Sequence, residues 1–386
     1  MAPCGGAWPR RRVSDRASVR VGAPTGSPGD RAGLAEPRPR VAVELSESFA
    51  AACAAGGESS AERYSIAGVS VSLRFAGAEL RARLAPALLH LREDPAKDGA
   101  PPAFTIHLWD SASSGTPPPP RPPAPDDNAP GALYHFHEPP LRGVYQPGLG
   151  SLSVLDSEAQ SAWYWVDSAR NLPYWEQACP IRQILFWWLG TRGYLQVHGA
   201  AVGTRSGGVL VVGKGGSGKS TVALSSLGSE LLYAGDDYVA VALEPSPRVQ
   251  SLYNSGKLEP DHVHGLLPHL LPLLANGDRL ASEKAVLYVQ QHFPEQTTSG
   301  FPLRAILVPS VGAIRPESRI VETSRATAFA ALAPSTILQL HTADSSAFAT
   351  MSRLIESVPC YGLELGSDID AIPGTIAEFL EGLQQE

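Results

Sequence analysis

Gly213-Lys214-Gly215-Gly216-Ser217-Gly218-Lys219-Ser220 is the stretch that decides how this chain is read. It meets every fixed position of the phosphate-loop pattern G-x-x-x-x-G-K-[ST]. An apolar, strand-like run, Val209-Leu210-Val211-Val212, leads into it. A helix-compatible run from Ser220 through Thr221 to Leu227 leads out, and Gly228 stands where such a helix stops. Strand, glycine loop and helix are what the chemistry needs. Glycines let backbone N–H groups curl around phosphate oxygens without Cβ clashes, and the positive end of the helix dipole faces the same oxygens. Lys219 is then placed to reach the β- and γ-phosphates, and the Ser220 hydroxyl to ligate Mg²⁺. The expected nucleotide-binding residues are Gly213, Lys214, Gly215, Gly216, Ser217, Gly218, Lys219, Ser220 and Thr221. The competing reading is a glycine-rich turn between a strand and a helix.

A phosphate loop needs a carboxylate for Mg²⁺ or for a base. The next apolar run supplies two, in Leu231-Leu232-Tyr233-Ala234-Gly235-Asp236-Asp237, with Asp236 only 17 residues after Lys219. Residues 231–243 read as one strand near the strand that precedes the loop. Adjacent side chains on a strand point to opposite faces, so both carboxylates reach one place only if the strand ends there. Asp236 is the expected proton acceptor, and Asp237, with Ser220, the expected Mg²⁺ ligand. The competing reading is an Asp-Asp turn with Asx capping. His198 lies 21 residues before Lys219, in Leu195-Gln196-Val197-His198-Gly199-Ala200-Ala201. Taken alone it reads as a hydrogen-bonded core histidine.

His198-Gly199-Ala200, the loop 213–220 and Asp236-Asp237, in this order and at this spacing, resemble the HPr kinase/phosphorylase family. The resemblance covers roughly residues 190–245. It implies a phosphate-loop fold akin to phosphoenolpyruvate carboxykinase and a protein-serine kinase activity using ATP and Mg²⁺. It further implies that His198, Lys219 and Asp236 are catalytic, with Asp236 the base that activates the acceptor serine and Asp237 beside it. It extends to self-association into a homo-oligomer. The family's downstream Glu-x-Arg-Gly-x-Gly signature is not found, and the corresponding stretch reads Ser251-Leu252-Tyr253-Asn254-Ser255-Gly256-Lys257-Leu258. The chain therefore looks like a divergent relative whose acceptor is a protein or peptide of unknown identity.

The rest of the chain bounds these readings. Its 386 residues suggest two or three domains, and 43% hydrophobic content allows real cores. The four cysteines, Cys4, Cys53, Cys179 and Cys360, are scattered and form neither a metal-spaced pair nor a disulfide framework. No apolar run approaches the roughly 20 residues that span a bilayer, and no secretory h-region is visible, so a soluble, cytoplasmic protein without a membrane partner is expected. Net charge is −7, distributed as +5 over residues 1–40 and −12 over the remainder. An acidic body argues against nucleic acid as a partner. The eight arginines of residues 1–40, among Pro, Gly and Ser, read as a disordered extension. Of only five lysines, two lie in the phosphate loop and Lys257 follows soon after. Lys257, Arg304, Arg315 and Arg325 are the candidates for further positive charge at the site.

The expected fold is α/β. Residues 41–170 read as an α+β domain with a mostly antiparallel sheet and a Pro-rich loop at 111–130. Residues 171–386 read as the phosphate-loop domain with further α/β elements. Within the first, residues 41–55 read as a strand followed by a helix, 78–91 as a helix burying Leu80, Leu84, Leu88 and Leu91, and 104–109 as a strand. Residues 174–192 read as one buried helix carrying Trp175, Phe186, Trp187 and Trp188. No Asn-Lys-x-Asp guanine signature occurs, which makes ATP the expected nucleotide. Three functions fit these parts: a kinase acting on a hydroxyl, an ATPase coupled to conformational change, and a nucleotide-sensing module without turnover.

Overall fold

Ala67 and Gly68, with φ of 51° and 75°, make the two-residue turn from which the first sheet grows. Positive φ at both positions is what a tight hairpin with natural strand twist requires. The turn joins β1 (Ser59–Ile66) to β2 (Val69–Ala76), antiparallel, in the computed structural model of this chain. The structure describes residues 40–56, 59–94, 101–120, 134–138, 140–312, 315–339 and 345–385. The Arg-rich extension up to residue 39 and the 121–130 part of the expected Pro-rich loop lie outside the described residues. β3 (Phe104–Asp110) joins β2 in parallel, and the sheet continues through β4 (Tyr134–Glu138), β5 (Leu141–Gln146), β6 (Ser151–Asp156) and β7 (Ser161–Val166) in the order β1-β2-β3-β7-β6-β5-β4. Its pairings are antiparallel except β2–β3 and β3–β7.

Three expectations about helices need correction. Arg40–Ala55 is one helix, with no strand at its start. Ala42, Leu45, Phe49 and Ala52 are buried along it at helical spacing, and this face packs on Trp109, Trp163 and Trp165. That burial outweighs the strand preference of Val41 and Val43. Residues 78–91 are an α-helix, Ala78–Leu84, followed by a 3₁₀ stretch, Ala85–Leu91, where Pro86 cannot continue the α-helical bonding. Leu80, Leu84, Leu88 and Leu91 are nevertheless all buried. Residues 174–192 are two helices, Tyr174–Ala178 and Arg182–Gly190, separated at Cys179-Pro180-Ile181, where Ile181 is left-handed at φ 50°.

The phosphate-loop sheet is built from β8 (Leu195–Thr204), β9 (Gly207–Val212), β10 (Leu232–Gly235), β11 (Tyr238–Ala242), β12 (Arg248–Ser251), β15 (Gly300–Val311), β16 (Arg319–Glu322) and β17 (Cys360–Leu365). The hairpin of β13 (Ser255–Leu258) and β14 (Ala285–Tyr288) stands apart. Five of the pairings close on themselves, running β8–β9–β15–β12–β11 and back to β8. The result is a mixed α/β fold with several sheets, in which Pro39–Glu386 form one compact unit. One core passes from the first sheet into the second: Phe104, Val166, Leu185 and Trp188 share a cluster with Tyr238, Leu252 and Tyr253. Trp188 stacks on Phe104 with centroids 4.7 Å apart, which adds to its area burial.

Polar contacts fasten the same junction. Asn254 donates through Nδ2 to the carbonyls of Pro86 and Ala87, at 2.8 and 2.9 Å. His90 Nε2 lies 2.6 Å from the Ser251 hydroxyl. Burial lowers the His90 pKa from 6.5 to about 3. The unfolded chain takes up this proton near 6.5 and the folded chain only near 3, so across that window the unfolded state binds more protons and stability falls as pH falls. We expect the urea midpoint to drop between pH 7 and pH 4, and to drop less in His90→Asn. An equal drop in that variant would remove His90 from the acid response.

Candidate functional site

β9 ends at Val212, residues 213–218 form the loop, and the helix Lys219–Ser225 follows, as the sequence predicts. Gly216 and Gly218 adopt φ of 76° and 104°. Gly218 is needed for its conformation, and a Cβ there would also displace the Leu365 side-chain tip, 2.4 Å away. Lys219 is 7% exposed, and its Nζ donates to the carbonyls of Gly213 (2.8 Å) and Lys214 (3.2 Å). Burial lowers its pKa, and Asp236 and Asp237 oppose that shift.

The single strand expected over residues 231–243 is two strands, β10 and β11, and the break is Asp236-Asp237 itself. Gly235 at φ 156° and Asp237 at φ 75° kink the chain into a bulge without reversing it, and both strands run antiparallel along β8. Aspartate is among the few non-glycine residues that enter the left-handed region. The Gly199 N–H donates to the Asp237 carbonyl at 3.0 Å and holds the turn against β8. The break lets both carboxylates reach one site.

Asp236 is 1% exposed. Its Oδ1 accepts from the Ser220 hydroxyl at 2.9 Å, and its Oδ2 accepts from the Lys257 backbone N–H at 3.0 Å. Asp237 is held by two basic side chains: Oδ1 lies 3.0 Å from His198 Nε2, and Oδ2 pairs with Lys257 Nζ. The Cys179 thiol donates to the same Oδ2 at 3.7 Å. These surroundings drive the two carboxylates apart. Burial, and then the charge of Asp237, raise the Asp236 pKa against the hydrogen bonds from Lys257 N–H and Ser220. Burial pushes Asp237 up as well, but Lys257 and His198 outweigh it and hold Asp237 far below the ordinary carboxylate range. Lys257 is raised in turn, the Asp237 charge overcoming burial. Carboxylates separated in this way are suited to different tasks.

His198, Lys219, Ser220, Asp236 and Asp237 are thus brought together, and Lys257 joins them from β13. None of the arginines considered with it lines the cleft over the loop. Arg304 bonds the Ser206 carbonyl at 2.9 Å, Arg315 pairs with Glu364, and Arg325 is an exposed residue at the start of the helix Arg325–Gln339. Sequence reasoning missed Cys179, Arg182 and Tyr238. Arg182 Nη1 donates to the Tyr238 hydroxyl at 2.9 Å, and the Tyr238 ring lies 5.2 Å from that of His198. A cleft of about 450 Å³ opens over Gly216, Gly218, Lys219, Ser220 and Thr221, walled by Lys257, Lys284, Val311 and Leu365. Among the described residues no group of three or more His, Cys, Asp or Glu is arranged as a metal cage. The Ser220 hydroxyl and the Asp236 carboxylate, adjacent hard oxygens, fit Mg²⁺, which usually takes one or two protein ligands beside phosphate oxygens. Asp237, expected to share in that role, has its two oxygens on His198 and Lys257.

No helix among the described residues is long and apolar enough to cross a membrane. No family model matches the chain, and no curated protein matches it. Among solved structures the chain is similar to the Hpr(Ser) kinase/phosphatase from Coxiella burnetii, at 11% identity and a TM-score of 0.27, over 49% of this chain and 96% of that one.

The Asp237–Lys257 pair is largely buried, with side chains 21% and 13% exposed. Lys257→Met strands a buried carboxylate and should cost about 3 kcal/mol. Asp237→Asn combined with Lys257→Met should recover part of that loss. Additive losses in a double-mutant cycle by chemical denaturation would show that the two side chains do not interact.

Proposed function

We propose that this chain is an ATP-dependent phosphotransferase that moves the γ-phosphoryl group of ATP to a hydroxyl, the acceptor being a serine of a protein or peptide. The observation that carries the proposal is the buried Asp236 carboxylate, raised in pKa and hydrogen-bonded to the hydroxyl of the phosphate-loop Ser220. A base with a raised pKa at that place accepts a proton more readily than an ordinary aspartate does. The expected His198, Lys219 and Ser220 surround it.

In this reading the loop backbone and Lys219 bind the β- and γ-phosphates. Ser220, together with phosphate oxygens, would hold Mg²⁺, which when bound supplies charge neutralisation to the phosphates. The acceptor hydroxyl passes its proton to Asp236. Its oxygen bonds to the γ-phosphorus while the bond to the β-phosphate oxygen breaks, and ADP leaves. Lys219 stabilises the charge that develops on the transferring group. Asp237 remains anionic, orients His198 and Lys257, and keeps the Lys257 ammonium beside the reacting phosphate. The missing guanine signature supports ATP.

Incubation with γ-³²P-ATP, Mg²⁺ and a lysate of the native host tests the reading. A labelled protein or peptide is expected with the wild type. Asp236→Asn should lower labelling by about 10²–10⁴-fold while retaining ATP binding by calorimetry, and Lys219→Ala should lose both. Labelled free phosphate without a labelled acceptor would replace the kinase with an ATPase. ATP binding with neither product would leave a nucleotide sensor.

A further inference from the structure

We propose that the chain carries a second anion site, apart from the phosphate loop, that binds a small organic phosphate in the cavity between Arg83 and Arg279. The cavity, about 420 Å³, lies between the helix Ala78–Leu84 and residues 275–288. That volume is in the range of small-molecule pockets and exceeds what a bare phosphate fills.

Two guanidinium groups converge on it from distant parts of the sequence. Both act on the Tyr288 hydroxyl: burial lifts that group to about 12, and the charges of Arg279 and Arg83 work against the rise. Arg83 is half-buried and pairs with no carboxylate among the described residues. Arg279 uses Nη1 toward Glu283, at 3.2 Å, which leaves its other nitrogens for a ligand. The one carboxylate in the wall, Glu79, is neutralised by Arg170 at 3.0 Å. Arginine forks match phosphate oxygens in a planar, bidentate fashion. The remaining wall contains Tyr174, Pro86 and Val286, surfaces for the organic body of a ligand rather than for a free ion.

The site is tied to the phosphate-loop cleft through one segment. Asn276, 2% exposed, donates to the Lys284 carbonyl at 2.9 Å and accepts from the Val286 N–H at 2.8 Å. The segment it staples holds Arg279 in one cavity and Lys284 in the other. Val286 in turn lies opposite Lys257 in the β13–β14 pairing. A ligand that draws on Arg279 therefore acts on the elements that hold Lys257 and Lys284. This coupling rests on the phosphotransferase reading, whereas binding at the site does not.

Calorimetric titration of the full chain, without ATP, tests it. The probes are ribose 5-phosphate and glycerol 3-phosphate, with inorganic phosphate as the bare anion. Saturable binding of at least one organic phosphate is expected, tighter than that of inorganic phosphate. Arg83→Gln and Arg279→Gln should each weaken it about 10-fold or more, as loss of a charge-assisted hydrogen bond does. Arg83→Lys, which keeps the charge and loses the fork, should fall between. Lys219→Ala should leave it unchanged. Binding lost in Lys219→Ala but kept in the arginine variants would assign the anion to the phosphate loop and overturn the proposal. Equal affinity for inorganic phosphate, or no binding of any probe, would overturn it as well. None of these outcomes depends on whether phosphoryl transfer occurs.

Discussion

Two adjacent carboxylates held on the same side of the chain, out of water, are the constraint around which the site is arranged. Burying two negative charges side by side is costly unless each finds partners. Asp236 finds a hydroxyl and a backbone N–H, and Asp237 finds a lysine and a histidine. Because the partners differ in kind, the pair ceases to be symmetric. The neighbour of Lys257 and His198 keeps its charge, and the other becomes the carboxylate whose pKa is raised. The left-handed turn at Asp237, the edge of β8 that receives both β10 and β11, and the placing of β13 all serve that geometry. Backbone strain at such a position is tolerated where the surroundings determine it.

What could be read from the chain beforehand was local. The phosphate loop is contiguous, and its flanking strand and helix announce themselves within twenty residues. The alternation of Val69, Val71, Leu73 and Phe75 likewise marks β2 by a period of two. What could not be read depends on contacts far apart in sequence. Val41 and Val43 look like the start of a strand, and only the aromatic face of the first sheet makes residues 40–55 one helix. The breaks at 179–181 and at 236–237 turn on positive φ at Ile181 and, beside Gly235, at Asp237, residue types that do not announce such a conformation. Lys257 was visible as a scarce lysine, but nothing in its neighbours says that β13 will deliver it to Asp237. Cys179 carried no signal at all, since its place is set by the junction of two helices against a strand 58 residues later.

The first sheet is more than an appendage to the phosphate-loop sheet. Tyr164, on β7, donates to Glu176 at 2.7 Å, and the charge of Glu176 acts on Arg182, which stacks on and bonds Tyr238. Tyr238 lies against His198. A polar thread of this sort runs from the centre of one sheet to the histidine of the other. At its end the buried His198 Nδ1 has no hydrogen-bond partner among the described residues.

The two hydrogen bonds from Lys219 to the carbonyls of Gly213 and Lys214 close the phosphate loop on itself. Binding of an anionic ligand is then an exchange of one set of acceptors for another and does not require a slack segment to be ordered. The conformational entropy of a loop with three glycines among its middle four residues has been lost at folding instead. A preorganised loop of this kind needs little structural adjustment to take a ligand, and in the phosphotransferase reading the lysine would exchange its carbonyl oxygens for phosphate oxygens.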